Sequence, residues 1–201
     1  VVRVSDCQFV AESGAIDELN SVALEVSASA QKEGVFVECH KMMVHRLARA
    51  VRVRAARAEV TAVDCLQVGG ESWLDWVRPN SSDVGGLEFD LVHCTLRRSR
   101  RLLSWSEGPV RIGAEECVLA VRPGEVLCKS RRTPSGTVRL QGRGTLLTPG
   151  TVVTRGTATV EGLVAAVPTF RGPATKDPRD SKLSRVPAGV PGVGVEAPGV
   201  R

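Results

Sequence analysis

From Gly86 onward the apolar runs are short and are cut by turns. None has the length or the 3.6-residue period of an amphipathic helix, so this stretch reads as strands joined by turns. Leu87 to Leu96, Leu102 to Trp105, Val110 to Ile112, Cys117 to Val121 and Val126 to Cys128 are the first set. Val138 to Leu140, Thr145 to Leu147, Thr151 to Thr154 and Thr157 to Val160 follow. Pro123-Gly124, Pro149-Gly150 and Pro134 to Gly136 are turn signals between them. The expectation is a mostly antiparallel β-rich region over 87–167.

A glycine recurs every six residues inside that region, at Gly144, Gly150, Gly156 and Gly162. Leu146, Val152, Ala158 and Val164 hold the third place of each unit. A hexapeptide β-helix carries such a repeat, but four units make little more than one coil. Hairpins with Gly-bearing turns account for it as well, and are the reading preferred here.

The N-terminal part has a different texture. Ile16, Leu19, Ala23, Val26 and Ala30 recur at spacings of three and four, which predicts a helix over 14–33 capped by Gly34. His40, Val44, Leu47, Val51, Ala55, Ala58 and Ala62 repeat the pattern and predict a second helix over 38–62. The alternation Val51-Arg52-Val53-Arg54 is the rival, β reading. Residues 1–68 are thus expected to form a helical hairpin. Residues 69–86, rich in Gly, Pro, Asn and Ser, read as a loop, with Trp73 and Trp76 covering the core. From Pro168 to the end, Pro and Gly alternate with charge and apolar clusters vanish, so 168–201 read as a disordered tail. The expected fold class is α+β.

Composition narrows the alternatives. Of 201 residues 42% are hydrophobic but only 3% aromatic, so Val, Leu and Ala must do most of the packing. No uninterrupted apolar run approaches the roughly 18 residues of a membrane span. The six cysteines (Cys7, Cys39, Cys65, Cys94, Cys117 and Cys128) are widely spread in a chain too long to need disulfide stapling. They read as reduced thiols, and the expected compartment is the cytoplasm.

The net charge of +5 is unevenly placed. Residues 1–38 hold two cations against seven carboxylates. Residues 39–58 hold Lys41, Arg46, Arg49, Arg52, Arg54 and Arg57 and no carboxylate. Two further clusters are Arg97-Arg98-Ser99-Arg100-Arg101 and Lys129-Ser130-Arg131-Arg132. A GC-rich coding region favours Arg over Lys without any selection for its chemistry. Even so, guanidinium groups on one face bind phosphate through paired donors. The candidate anion- or nucleic-acid-binding residues are Arg46, Arg49, Arg52, Arg57, Arg97, Arg98, Arg100, Arg101, Arg131 and Arg132.

Catalytic patterns are missing from the sequence. Gly70-Glu71-Ser72-Trp73-Leu74 lacks the closing glycine of a nucleophile elbow. Ser29-Ala30-Gln31-Lys32 matches Ser-x-x-Lys without its companion motifs. Glu115 and Glu116 are adjacent rather than across a cleft. His40 and His45, five apart, do not share a helical face, and no Cys-x-x-Cys occurs. No catalytic residue, metal or cofactor is therefore expected. The leading expectation is a non-enzymatic soluble interaction module with an unknown protein partner and no membrane. A basic nucleic-acid-binding protein, or a binder of another polyanion, is the alternative. A metal- or thiol-dependent enzyme is third.

Overall fold

The computed structural model describes residues 1–11, 21–28, 34–79, 85–132, 136–174, 178–182 and 184. Within them the chain winds as a β-solenoid, each of the first five coils laying one strand on each of three faces. The first coil holds β1 (Val2–Ser5), β2 (Gln8–Val10) and β3 (Val22–Ser27). The second holds β4 (Gly34–His40), β5 (Met43–His45) and β6 (Arg49–Arg54). The third holds β7 (Arg57–Val63), β8 (Leu66–Val68) and β9 (Ser72–Val77). The fourth holds β10 (Leu87–Val92), β11 (Thr95–Ser99) and β12 (Arg101–Trp105), and the fifth β13 (Val110–Glu115), β14 (Val118–Val121) and β15 (Cys128–Ser130). Then β16 (Val138–Leu147) runs through a corner to serve both faces one and two, and β17 (Ala158–Ala165) pairs with it.

Every strand pairing is parallel. Because β16 joins faces one and two, these form one 12-stranded sheet, while face three is a separate 5-stranded sheet in the order β15-β12-β9-β6-β3. This overturns the α+β expectation. The only helical element among the described residues is a short 3₁₀ turn, Pro178–Ser181. The described part of the expected first helix is β3, and residues 14–20 and 29–33 lie outside the described ones. The expected second helix is β4 to β7, the expected loop contains β9, and the expected antiparallel order is parallel.

Corner geometry explains the error. Inside a strand the buried residues alternate, as in Val51 and Val53 or Ala58, Val60 and Ala62. At each corner the phase resets, so burial passes from Cys39 to Met42 and from Ala62 to Cys65. Period two with regular slips imitates spacings of three and four. The inward residues are mainly Val, Ala and Leu, and the largest buried side chains are Trp76, Trp105 and the stacked pair Trp73–Phe89 (5.1 Å between centroids). Trp76 donates its Nε1–H to the Ala55 carbonyl at 3.0 Å.

The corner between faces one and two is built the same way in every coil. Asp6, Lys41, Asp64, His93, Glu116, Gly144 and Gly162 all have φ between 50° and 69° there. This left-handed conformation costs an ordinary residue roughly 1–2 kcal/mol. In four coils the next residue is a cysteine whose thiol donates to the carbonyl two residues back, closing the turn. These are Cys7 to Ser5 (3.1 Å), Cys65 to Val63 (3.3 Å), Cys94 to Val92 (3.3 Å) and Cys117 to Glu115 (3.1 Å). In the sixth coil the Thr145 hydroxyl takes that place, donating to Ala114 at 2.7 Å and reaching Arg143 at 3.4 Å. Two of the glycines in the six-residue repeat, Gly144 and Gly162, occupy the same corner of successive coils, and Leu146 pairs with Val164.

The described part of the segment read as a tail packs against face two. Arg97, on β11, donates to the carbonyls of Gly172 (2.6 Å), Asp180 (2.7 Å) and Pro173 (3.1 Å) and lies 4.1 Å over the Phe170 ring. Residues 185–201 lie outside the described ones. No helix among the described residues is long and apolar enough to cross a membrane.

Candidate anion-binding face

Register places the charges of face three in rows that cross the coils. One row runs Arg49, Ser72, Arg101, and the next runs Glu25, Arg52, Asp75, Ser104, Lys129. Parallel neighbours stand about 4.8 Å apart, so each row is a ladder of side chains at that spacing. Asp75 is fully buried under the second row. Its carboxylate meets Arg49 Nε at 2.9 Å and Arg52 Nε at 3.2 Å, and takes Arg131 Nη2 on its other oxygen. One carboxylate thus gathers three guanidinium groups, two from the preceding coil and one from the fifth coil, two strands away on the other side.

The remaining acids of this face are shared out in the same way. Glu25 meets Arg52 (3.3 Å) and Arg54 (2.8 Å). The Arg54 hydrogen bond, its leading influence, holds the Glu25 carboxyl below its usual range. Arg100 bridges Glu71 (3.0 Å) and Glu125 (2.8 Å), and that bond lowers Glu125 likewise. Arg132 reaches Glu107 at 3.3 Å. Arg101 is different. It is 9% exposed, its nearest carboxylate is Glu71 at 3.6 Å, and its Nε–H has no hydrogen-bond partner. Burial pulls the Arg49 and Arg101 guanidinium groups down from their ordinary values, while Asp75 and Glu71 respectively oppose the shift.

Two cavities open on this face and share Arg101, Lys129 and Ser130. The first, of about 420 Å³, is lined by Arg49, Glu71, Ser72, Arg101, Ser104, Lys129, Ser130 and Arg131. The second, of about 320 Å³, continues toward Gly124, Glu125, Arg132 and Arg155. Together they form a groove in which cations outnumber carboxylates.

The other candidate arginines lie elsewhere. Arg46 and Arg98 occupy the corner between faces two and three in left-handed conformation. With Arg122 they line a cavity of about 740 Å³ beside Gly69, Gly70 and Ala174. Arg57 begins face one, where it shares a cavity of about 520 Å³ with Arg111 and Arg139. Arg97 is committed to the carbonyls that it holds. Residues 46 to 57, expected on one helical face, are therefore spread over a corner and two faces. Arg49, Arg52, Arg100, Arg101, Arg131 and Arg132 are brought together.

Reading along the sequence misses Ser72, Asp75, Ser104 and Arg155, which enter the site only through cross-coil register, while Lys129 is already visible in its basic cluster. The repeated pairs Asp6-Cys7, Asp64-Cys65, His93-Cys94 and Glu116-Cys117 were the signal that could have set that register. His93 itself sits between Asp64 (3.4 Å) and Glu116 (3.0 Å) on the first corner. Among the described residues no three His, Cys, Asp or Glu side chains are grouped to hold a metal. All six cysteines are free, and burial pushes the Cys39 and Cys128 thiols up to about 12. Compared with family models, curated proteins and solved structures, the chain matches none.

Proposed function

We propose that this chain is a non-enzymatic binding module whose third face takes duplex nucleic acid by its phosphates. The observation that carries the reading is the set of cations lining two cavities that share Arg101 and Lys129, namely Arg49, Arg101, Lys129, Arg131, Arg132 and Arg155. Cations at strand spacing along a rigid wall suit a linear polyanion, whose condensed counterions are released on contact. All three tryptophans are buried in the core, so bases have no indole platform on which to stack. That favours backbone contact with a duplex over capture of a single strand. The free thiols support a reducing compartment, which we take to be the cytoplasm.

The test is fluorescence polarisation of a labelled DNA duplex over a salt series, with heparin as competitor. The expected result is binding that weakens as salt rises, and a log-log slope that drops by about one unit for each phosphate contact removed. Lys129→Gln and Arg132→Gln together should flatten the slope without altering the urea midpoint by much. Absence of duplex binding at low salt, or a slope unmoved by these substitutions, would sink the reading.

A further inference from the structure

We infer that the first cavity of face three contains a discrete subsite for one tetrahedral oxyanion, the phosphate or sulfate group of a larger ligand. The inference rests on the reading that this face takes anions, and it names what part of the face is built to hold one. Register sets Ser72 between Arg49 and Arg101 on adjacent strands. A serine between two arginines leaves a notch one small side chain deep, walled by two long cations. The floor of the notch is polar and unsatisfied: Ser72 is 1% exposed and its hydroxyl has no partner. Beside it, the Arg101 Nε–H is buried and equally unpartnered.

A buried donor without an acceptor forfeits its hydration, and a buried cation more so. Two such groups lining one cavity are explained by an acceptor that fills it. Ser104 and Ser130 add hydroxyls to the same wall, and Lys129 and Arg131 add charge. Glu71 also lines the cavity, 3.0 Å from Arg100 and 3.6 Å from Arg101 on its two oxygens, while the neighbouring Asp75 is taken up by Arg49, Arg52 and Arg131. A tetrahedral oxyanion presents several acceptor oxygens, and guanidinium and hydroxyl donors suit it. The cavity, about 420 Å³, is larger than a lone anion needs, so the group that carries the oxyanion also has room.

The experiment is isothermal titration of the whole chain with inorganic phosphate and with sulfate, chloride serving as the control. Ribose 5-phosphate against ribose, and the DNA duplex, complete the series. Saturable binding of phosphate or sulfate is expected. Arg101→Gln should weaken it by at least about tenfold, as loss of a charged hydrogen bond does. Because Arg101→Gln could unfold the chain, Ser72→Ala is the second variant; it should weaken binding roughly two- to tenfold with the urea midpoint unchanged or raised. Ribose 5-phosphate binding more tightly than inorganic phosphate would identify a free phosphomonoester as the ligand. Equal affinity, with duplex DNA competing, would identify a backbone phosphate. Duplex binding without saturable phosphate or sulfate binding overturns the subsite and leaves the reading of the face intact. Failure of both overturns both. Phosphate binding that Ser72→Ala and a folded Arg101→Gln leave untouched places the anion elsewhere and also overturns the subsite.

Discussion

The Asp75 carboxylate, with no exposed surface, lies 2.9 Å from Arg49 Nε on the neighbouring strand of face three. Arg52 and Arg131 converge on the same group. Removing one charge from this cluster leaves three guanidinium groups crowded at the surface of the coil. Asp75→Asn is expected to destabilise the fold by about 3 kcal/mol or more, as breaking a buried ion pair does. Urea denaturation measures it; a loss below about 1 kcal/mol would mean that solvent already screens the cluster.

Acid should act through Glu25 and Glu125. Hydrogen bonds from Arg54 and Arg100 hold their carboxyl groups below the values of the unfolded chain. A carboxyl group depressed in the folded state adds stability above the unfolded value, and the addition is lost as pH falls through the folded one. Urea midpoints should therefore be flat from neutral pH to about 5 and decline below about 4.3. Both groups are partly exposed, so the decline should be shallower at high salt. Glu25→Gln with Glu125→Gln should flatten it.

Alkali should act through the thiols, with the opposite sign. Burial keeps Cys39 and Cys128 protonated up to about 12, whereas an unfolded thiol ionises near 8.5. The stability they contribute is complete below about 8.5 and is lost as pH rises toward 12. The same burial predicts the order of labelling. An alkylating reagent at mildly alkaline pH should modify Cys7 first, the one cysteine that is not buried, with the other five reacting only on unfolding. Early modification of Cys94 or Cys117, seen by peptide mapping, would contradict the stacked corner.

The glycines divide by what surrounds them. Gly70 has φ +86° and a methyl group there would come within 2.1 Å of the Leu47 carbonyl oxygen. Gly124 has φ +78° but open space around it. Gly124→Ala should cost about 1–2 kcal/mol, the conformational penalty alone. Gly70→Ala should cost roughly 3 kcal/mol or more, because backbone of the adjacent coil must move. Equal thermal shifts for the two would argue against the close approach of β6 and β9 at that corner.

Strand content after Gly86 was legible because apolar runs there are short and turn residues are explicit. The helical expectation for 38–62 failed for a definite reason. Val44, Leu47, Val51, Ala55 and Ala58 do show helical spacing, but corners at Lys41 and Arg46 shift the phase of a two-residue period. Parallel order was not legible either, since nothing local to Leu87 or Val110 records that its neighbours are 23 residues away in one direction and 29 or 28 in the other. The arginine clusters were visible, yet their grouping was not. Arg100 and Arg101 are adjacent in sequence, but one is paired to two carboxylates and the other is buried with a donor unused.

Three pairings, Val37 with Val60, Met43 with Leu66 and Arg49 with Ser72, are offset by the same 23 residues on three different faces. A segment of that length is a closed unit: it enters and leaves at the same point of the cross-section. Cutting one such turn out, or copying it, would carry all three faces forward together and leave every pairing above and below in step. The length of this molecule is therefore a free variable in a way that its cross-section is not. Growth or loss by whole turns changes how many charges line the groove, and so its reach along a ligand, without asking the core to be repacked.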